Sequence, residues 1–269
     1  MNPAASHPIG IFDSGIGGLT VAHAIVRHLP QENIIYFGDT AHLPYGDKSA
    51  ATIQGYSVKI VNMLLQQQCK LIMIACNSAS TAAFELIKEL VGNRAIVMDV
   101  VDPAIELLRD QYANKHVGLI GTRQTVNSNV YKKKIDDLNC GIQLTSRPTN
   151  LLASAIEEFG NNGVTDSLVE EYLSHDALKN IDALILACTH YPVVKKKIAA
   201  FFKQKIDIID PADTVAKTVK ARLTQEGLLN TSPHATKNFY VSDYTESFAN
   251  GTKIFFDETI KLEHYPLWD

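Results

Sequence analysis

Two cysteines in this chain stand at matching places. Cys76 lies in Lys70–Ser80 (KLIMIACNSAS) and Cys188 in Asp182–Pro192 (DALILACTHYP). Each closes an apolar run ending in Ala-Cys, and each precedes small polar residues: Asn77 and Ser78 in one case, Thr189 and His190 in the other. The two thiols are 112 residues apart. A second echo pairs Ile9–Gly15 (IGIFDSG) with Val117–Arg123 (VGLIGTR), placing Asp13 and Gly121 108 residues apart. Two such similar offsets predict two related α/β halves facing each other. A lone cysteine is ordinarily a small buried hydrophobe, and Cys69 and Cys140 are read that way, since no polar cluster follows them at a strand end. Two cysteines at equivalent places of an echoed unit are read as functional.

Facing thiols suit one kind of reaction. One takes a proton from one face of a carbon, and the other delivers a proton to the opposite face. That inverts a stereocentre without redox chemistry, metal or organic cofactor, and none is expected. Such acid–base work needs one partner deprotonated and one protonated. Each cysteine is expected to lie between a strand and a helix start, where the helix N-terminus lowers a thiol pKa. The α-carbanion needs preorganised donors around it.

Other polar clusters follow apolar runs, where ligands bind in open α/β sheets. Asp13-Ser14-Gly15-Ile16-Gly17-Gly18 follows Ile9–Phe12 and leads into a helix whose N–H groups attract an anion. It equally fits a tight turn with Asp or Ser as cap, and it is not a dinucleotide G-x-G-x-x-G. Gly38-Asp39-Thr40 leads to Pro44-Tyr45-Gly46, where Tyr45 can hydrogen-bond a ligand, although an ordinary Pro/Gly turn explains that stretch by itself.

These clusters must be carried by elements. Apolar runs at Ile9–Phe12, Ile34–Phe37, Leu71–Ala75, Ala95–Met98, Val117–Ile120, Ala183–Ala187 and Ile206–Ile209 lack polar alternation, as strands buried on both faces do. Helical patterns lie between them, such as Leu19–Leu29, Tyr56–Gln68, Pro103–Tyr112 and Asp213–Glu226. The alternation predicts parallel α/β architecture. With 269 residues the chain has room for two domains. A formal charge of -4 gives no reason to expect nucleic acid. Met1–Pro8 has no signal-peptide character and no apolar run approaches a membrane span, so a cytoplasmic location is expected. Four cysteines there are expected to be reduced.

The chain resembles the glutamate racemase family, within the wider aspartate/glutamate racemase group. The resemblance rests on Phe12–Leu19 (FDSGIGGL), Gly38-Asp39-Thr40 with Pro44-Tyr45-Gly46, Ala75–Ser80 (ACNSAS), Cys188–Pro192 (CTHYP) and Leu228-Leu229-Asn230, in order from about Pro8 to Phe248. It implies two flavodoxin-like, doubly wound parallel-sheet domains with pseudo-symmetry and the active site in the cleft between them. Residues 1–99 with 211–269 would form the first domain and 100–210 the second. Cys76 would take the α-proton from D-glutamate and Cys188 from L-glutamate, assisted by Asp13 and His190 respectively. Ser14, Tyr45, Gly46, Asn77, Ser78 and Thr189, with Asp13 and His190, would bind the substrate. Glu157 corresponds to a further acidic residue, a part that Glu158 fits as well. The chain departs from the family at Ser78 (usually Thr), at Ala187 (usually Gly) and around Arg147–Gly160. The resemblance also implies supply of D-glutamate for peptidoglycan synthesis, and allows a homodimer.

An aspartate racemase of the same mechanism is the nearest alternative. A non-catalytic two-lobed binding protein would have no use for both cysteine clusters. A cysteine hydrolase built on Cys188 and His190 would leave Cys76 unexplained.

Overall fold

The two cysteine-bearing strands occupy the same place in two separate parallel sheets. The computed structural model describes residues 3–256 and 260–268, so the beginning of the Met1–Pro8 stretch lies outside the described residues. In chain order the elements are β1 (Ile9–Asp13), α1 (Leu19–His28), β2 (Ile34–Gly38), α2 (Ala50–Gln66), β3 (Leu71–Ile74), α3 (Asn77–Val91), β4 (Ile96–Asp99) and α4 (Val101–Gln111). Then come β5 (His116–Gly121), α5 (Arg123–Asn127), α6 (Val130–Asp137), β6 (Gln143–Pro148), α7 (Leu152–Phe159), α8 (Gly163–Leu173), β7 (Ala183–Ala187), α9 (Lys195–Phe201) and β8 (Asp207–Ile209). The chain ends with α10 (Ala212–Gln225), β9 (Lys237–Val241), α11 (Glu246–Phe256) and β10 (Leu262–His264).

The first sheet has the order β10-β9-β2-β1-β3-β4 and the second β6-β5-β7-β8. Every pairing is parallel. The run β2-β1-β3-β4 is repeated as β6-β5-β7-β8, which is the echo in the sequence made structural. In each copy the chain reverses direction across the sheet between the first and third strands (β1/β3, β5/β7). Ligands gather at such a switch point. Its strand ends carry Asp13 and Cys76 in one copy, and Gly121 and Cys188 in the other.

Crossover helices cover both faces of a parallel sheet, so its strands are apolar throughout. Every residue of β1, β2, β3 and β7 is buried. One apolar cluster runs from β1 and α1 through α10 to β7 and Tyr191, so the two sheets share a core. The C-terminal strands complete the first sheet on its β2 side.

Below the first sheet, the fully buried Lys70 ammonium donates to Glu32 Oε2 (2.6 Å), to the Leu228 carbonyl (2.8 Å) and to the Ala5 carbonyl (2.5 Å). The Asn230 amide N–H donates to Glu32 Oε1 at 2.8 Å. A buried ion pair needs such additional hydrogen bonds to offset its desolvation. The Leu228–Asn230 stretch is thus the place where the returning chain is fastened. No helix among the described residues is long and apolar enough to cross a membrane.

Candidate active site

Cys76 is the N-cap of α3, and its Sγ accepts a bond from the Ala79 N–H at 3.5 Å. The strand-to-helix turn puts the thiol at the mouth of the switch point, where it also donates to Ser14 Oγ at 3.7 Å. The expected lowering of this thiol does not occur. Burial and the nearby Asp13 carboxylate outweigh the helix N-terminus and push Cys76 up to about 12. In this arrangement Cys76 is a proton-bearing thiol.

Cys188 differs from expectation in another way. No α-helix starts there: a turn and a short 3-10 segment at Tyr191–Val194 intervene before α9. Pro192 stands at the start of that segment, a position where its missing N–H costs no hydrogen bond. The partner of Cys188 is a side chain, His190 Nδ1, at 3.7 Å from Sγ. His190 Nε2 in turn lies 2.9 Å from Glu157 Oε2. Burial works against a charge on His190, but the Cys188 and Glu157 contacts prevail and hold the imidazole well above its ordinary value. A cation therefore stands beside the second thiol. The structure brings Glu157 to His190 and leaves Glu158 exposed on α7.

Asp13 is fully buried, and its Oδ2 accepts from the Gly15 and Gly18 N–H groups at 3.2 and 3.0 Å. Thr189 Oγ1 donates to Asp13 Oδ1 at 3.5 Å, joining the two sheets' loops. Burial raises the Asp13 carboxyl above the usual carboxylate range, against the pull of His190 and the two N–H bonds.

Ser14, Tyr45, Gly46, Cys76, Asn77, Ser78, Glu157, Cys188, Thr189 and His190 all line one cavity between the sheets; Asp13 lies behind it as a support. Tyr45 enters differently from the expectation. Its hydroxyl donates to Asp39 Oδ2 at 2.6 Å, and burial together with that carboxylate keeps it protonated. The hydroxyl proton is committed to Asp39, so backbone N–H groups of the 3-10 turn Tyr45–Asp47 are the donors left for a ligand.

Three residues escaped the sequence reading. Thr122 lines the cavity, bonds Ser78 (Oγ···Oγ1, 2.8 Å) and packs so closely that a Cβ on Gly46 would lie 2.7 Å from it. The sequence echo signals it, because the offset that equates Asp13 with Gly121 equates Ser14 with Thr122. Tyr131, whose hydroxyl donates to Asn77 Oδ1 at 2.7 Å, has no such signal. Asp39 stood in a noted motif without a role.

Residues 9–219 match the family described as Asp/Glu/Hydantoin racemase. The glutamate racemase of Chlorobaculum parvum is 40% identical over 250 residues, covering 92% of each chain. The crystal structure of glutamate racemase from Francisella tularensis in complex with D-glutamate is 39% identical, with a TM-score of 0.91 over 98% of this chain and 99% of that one. Picrophilus torridus aspartate racemase is a looser likeness, 19% identical with a TM-score of 0.59 over 82% of this chain and 94% of that one, and shows the fold alone.

Proposed function

Because the chain belongs to the Asp/Glu/hydantoin racemase family, we propose that it interconverts L- and D-glutamate with Cys76 and Cys188 as paired acid and base. The observation that carries this reading is that equivalent strand ends of two repeated sheets bring both thiols to one cavity. Glutamate, not aspartate, is supported by relatives named for glutamate across nearly the whole chain.

In the direction from L-glutamate, the Cys188 thiolate takes the α-proton and Cys76 gives its proton to the opposite face. The products are D-glutamate, a Cys188 thiol and a Cys76 thiolate, and proton exchange resets the pair. His190, positively charged, faces the thiolate side, and the raised Cys76 thiol suits the donor side. Glu157 Oε1 is buried without a hydrogen-bond donor and faces Gly15, offering an acceptor for the substrate ammonium. Ser14, Asn77, Ser78 and Thr189 supply donors for the carboxylates, with the Tyr45–Gly46 backbone. Metal and organic cofactors have no part in these steps.

The same reading divides the chain into residues 1–99 with 211–269 and residues 100–210, supported by the two sheets and by the pairing of β9 with β2. It places the protein in the cytoplasm, supplying D-glutamate for peptidoglycan, and four unpaired cysteines suit a reducing compartment. A homodimer is an assembly that this reading allows. Chiral chromatography of the purified, EDTA-dialysed protein with L-glutamate is the test. Appearance of D-glutamate without additions supports the proposal; an unchanged enantiomer overturns it.

A further inference from the structure

Asp39 is fully buried, yet donors from well-separated parts of the chain converge on its carboxylate. Tyr45 Oη donates to Oδ2 at 2.6 Å, Ser242 Oγ to Oδ1 at 2.8 Å and Trp268 Nε1 to Oδ1 at 2.7 Å. His42 Nδ1 lies 3.1 Å from both oxygens. Trp268 reaches this carboxylate across 229 residues of sequence. Its ring meets His42 edge-on at 4.5 Å and Tyr56 at 5.4 Å, with the Lys59 ammonium 4.5 Å from its centre. Thr40 and Ala41 are tied to the same region, through Asp243 (2.6 Å) and Ser242 (3.0 Å). The loop held in this way is the one that lines the cavity at Leu43, Pro44, Tyr45 and Gly46. Asp39 lies within residues 9–219, which the family match covers, whereas Ser242 and Trp268 lie beyond them.

We propose that Asp39 and Trp268 are positioning residues for the Tyr45–Gly46 loop, so that the end of the chain sets how tightly glutamate is held. The inference rests on the reading that this loop contacts the substrate. Neither residue lines the cavity, so their effect passes through Tyr45 and falls on binding, while the two thiols stay in place. Hydrogen bonds to a charged group are the stronger kind, and removing one that orients a binding loop corresponds to about a tenfold change in affinity.

Trp268 is the only tryptophan, so its emission reports on the anchor directly. The experiment combines kinetics with a fluorescence titration of glutamate. Trp268→Phe keeps an aromatic ring and loses the N–H donor; Asp39→Asn keeps the shape and loses the charge; Ser242→Ala removes one donor with little bulk change. Trp268→Phe and Ser242→Ala should raise KM, the former about tenfold, with kcat within about twofold. Glutamate should shift the Trp268 emission of the wild type, and Asp39→Asn should abolish the shift. Wild-type KM in Trp268→Phe, a loss confined to kcat, or wild-type emission indifferent to saturating glutamate would each overturn the proposal. A wild-type protein that binds but does not racemise glutamate overturns the preceding section instead, and the emission titration then decides the coupling alone.

Discussion

Gly17→Ala probes the second thiol's support without touching a thiol. Gly17 is not among the glycines with positive φ, so its backbone accepts alanine. The space does not. An added Cβ would lie 2.4 Å from His190 Cε1, 2.5 Å from Nδ1 and 2.9 Å from Nε2, whereas ordinary contact begins at 3.4 Å. The imidazole must therefore retreat by roughly 1 Å, a displacement that commonly costs about 100-fold in rate when it misplaces a reacting group. That retreat lengthens the 2.9 Å contact to Glu157 and the 3.7 Å contact to Cys188. About 100-fold is about 2.7 kcal/mol of transition-state stabilisation. The enantiomers have equal free energy, so kcat/KM must fall by the same factor in both directions, whichever thiol is disturbed. The assay is chiral chromatography of initial rates from each enantiomer, with a thermal melt of each variant. Gly55→Ala is the control, because nothing lies within 4 Å of a Cβ there and α2 should gain about 0.5–1 kcal/mol of stability. A folded Gly17→Ala protein with wild-type kcat/KM would refute the role given to His190.

Two further outcomes are expected. Cys76→Ala and Cys188→Ala should each lower racemisation by about 10²–10⁴-fold or more while keeping native circular dichroism; in D2O, early product from L-glutamate should carry α-deuterium, and near wild-type turnover by either variant refutes the two-thiol mechanism. Asp99, at the end of β4, is raised to about 7 chiefly by burial and then by Asp102. A carboxyl with a raised folded pKa favours the folded state while protonated, so its contribution is full below the unfolded value near 3.8 and is lost as pH rises through about 7. Asn at position 99 keeps an acceptor for the Asp102 N–H and removes that loss, so Asp99→Asn should raise Tm at pH 8 more than at pH 5; equal shifts at both pH values refute the assignment.

The central strands were legible because burial on both faces leaves an unbroken apolar run, as in Leu71–Ile74 and Ala183–Ala187. Strands β6 (QLTSRP) and β10 (LEH) were not. Each is an edge strand with exposed residues, held on one side only by the strand just before it in the chain, so neither needs an unbroken apolar run. β9 (KNFYV) begins with exposed polar residues and reads as a loop until β2 is placed beside it. The thiols, Asp13 and His190 stood out through the repeat, whereas their electrostatics did not. A helix start predicts a lowered Cys76, but depth of burial and the Asp13 neighbour are tertiary quantities. Tyr131 illustrates the same limit: nothing in VYKKK announces a bond to Asn77 in the other half.

The pairing of β9 against β2 also orders events in time. A ribosome delivers the chain from its N-terminus at about 5–20 residues per second. Strand β2, with Ile34, Ile35, Tyr36 and Phe37, is made early, but its outer partner follows some two hundred positions later. Until then the nascent first sheet shows an apolar, unpaired edge of the kind that recruits other chains. The whole second sheet is synthesised during that interval, and the Lys70–Glu32 fastening must await Leu228 and Asn230. Slow translation between the sheets would lengthen the period in which β2 lies open, whereas early release of the C-terminal segment would close it. Yield of soluble protein should therefore respond to codon choice across residues 100–236 more than across residues 1–70.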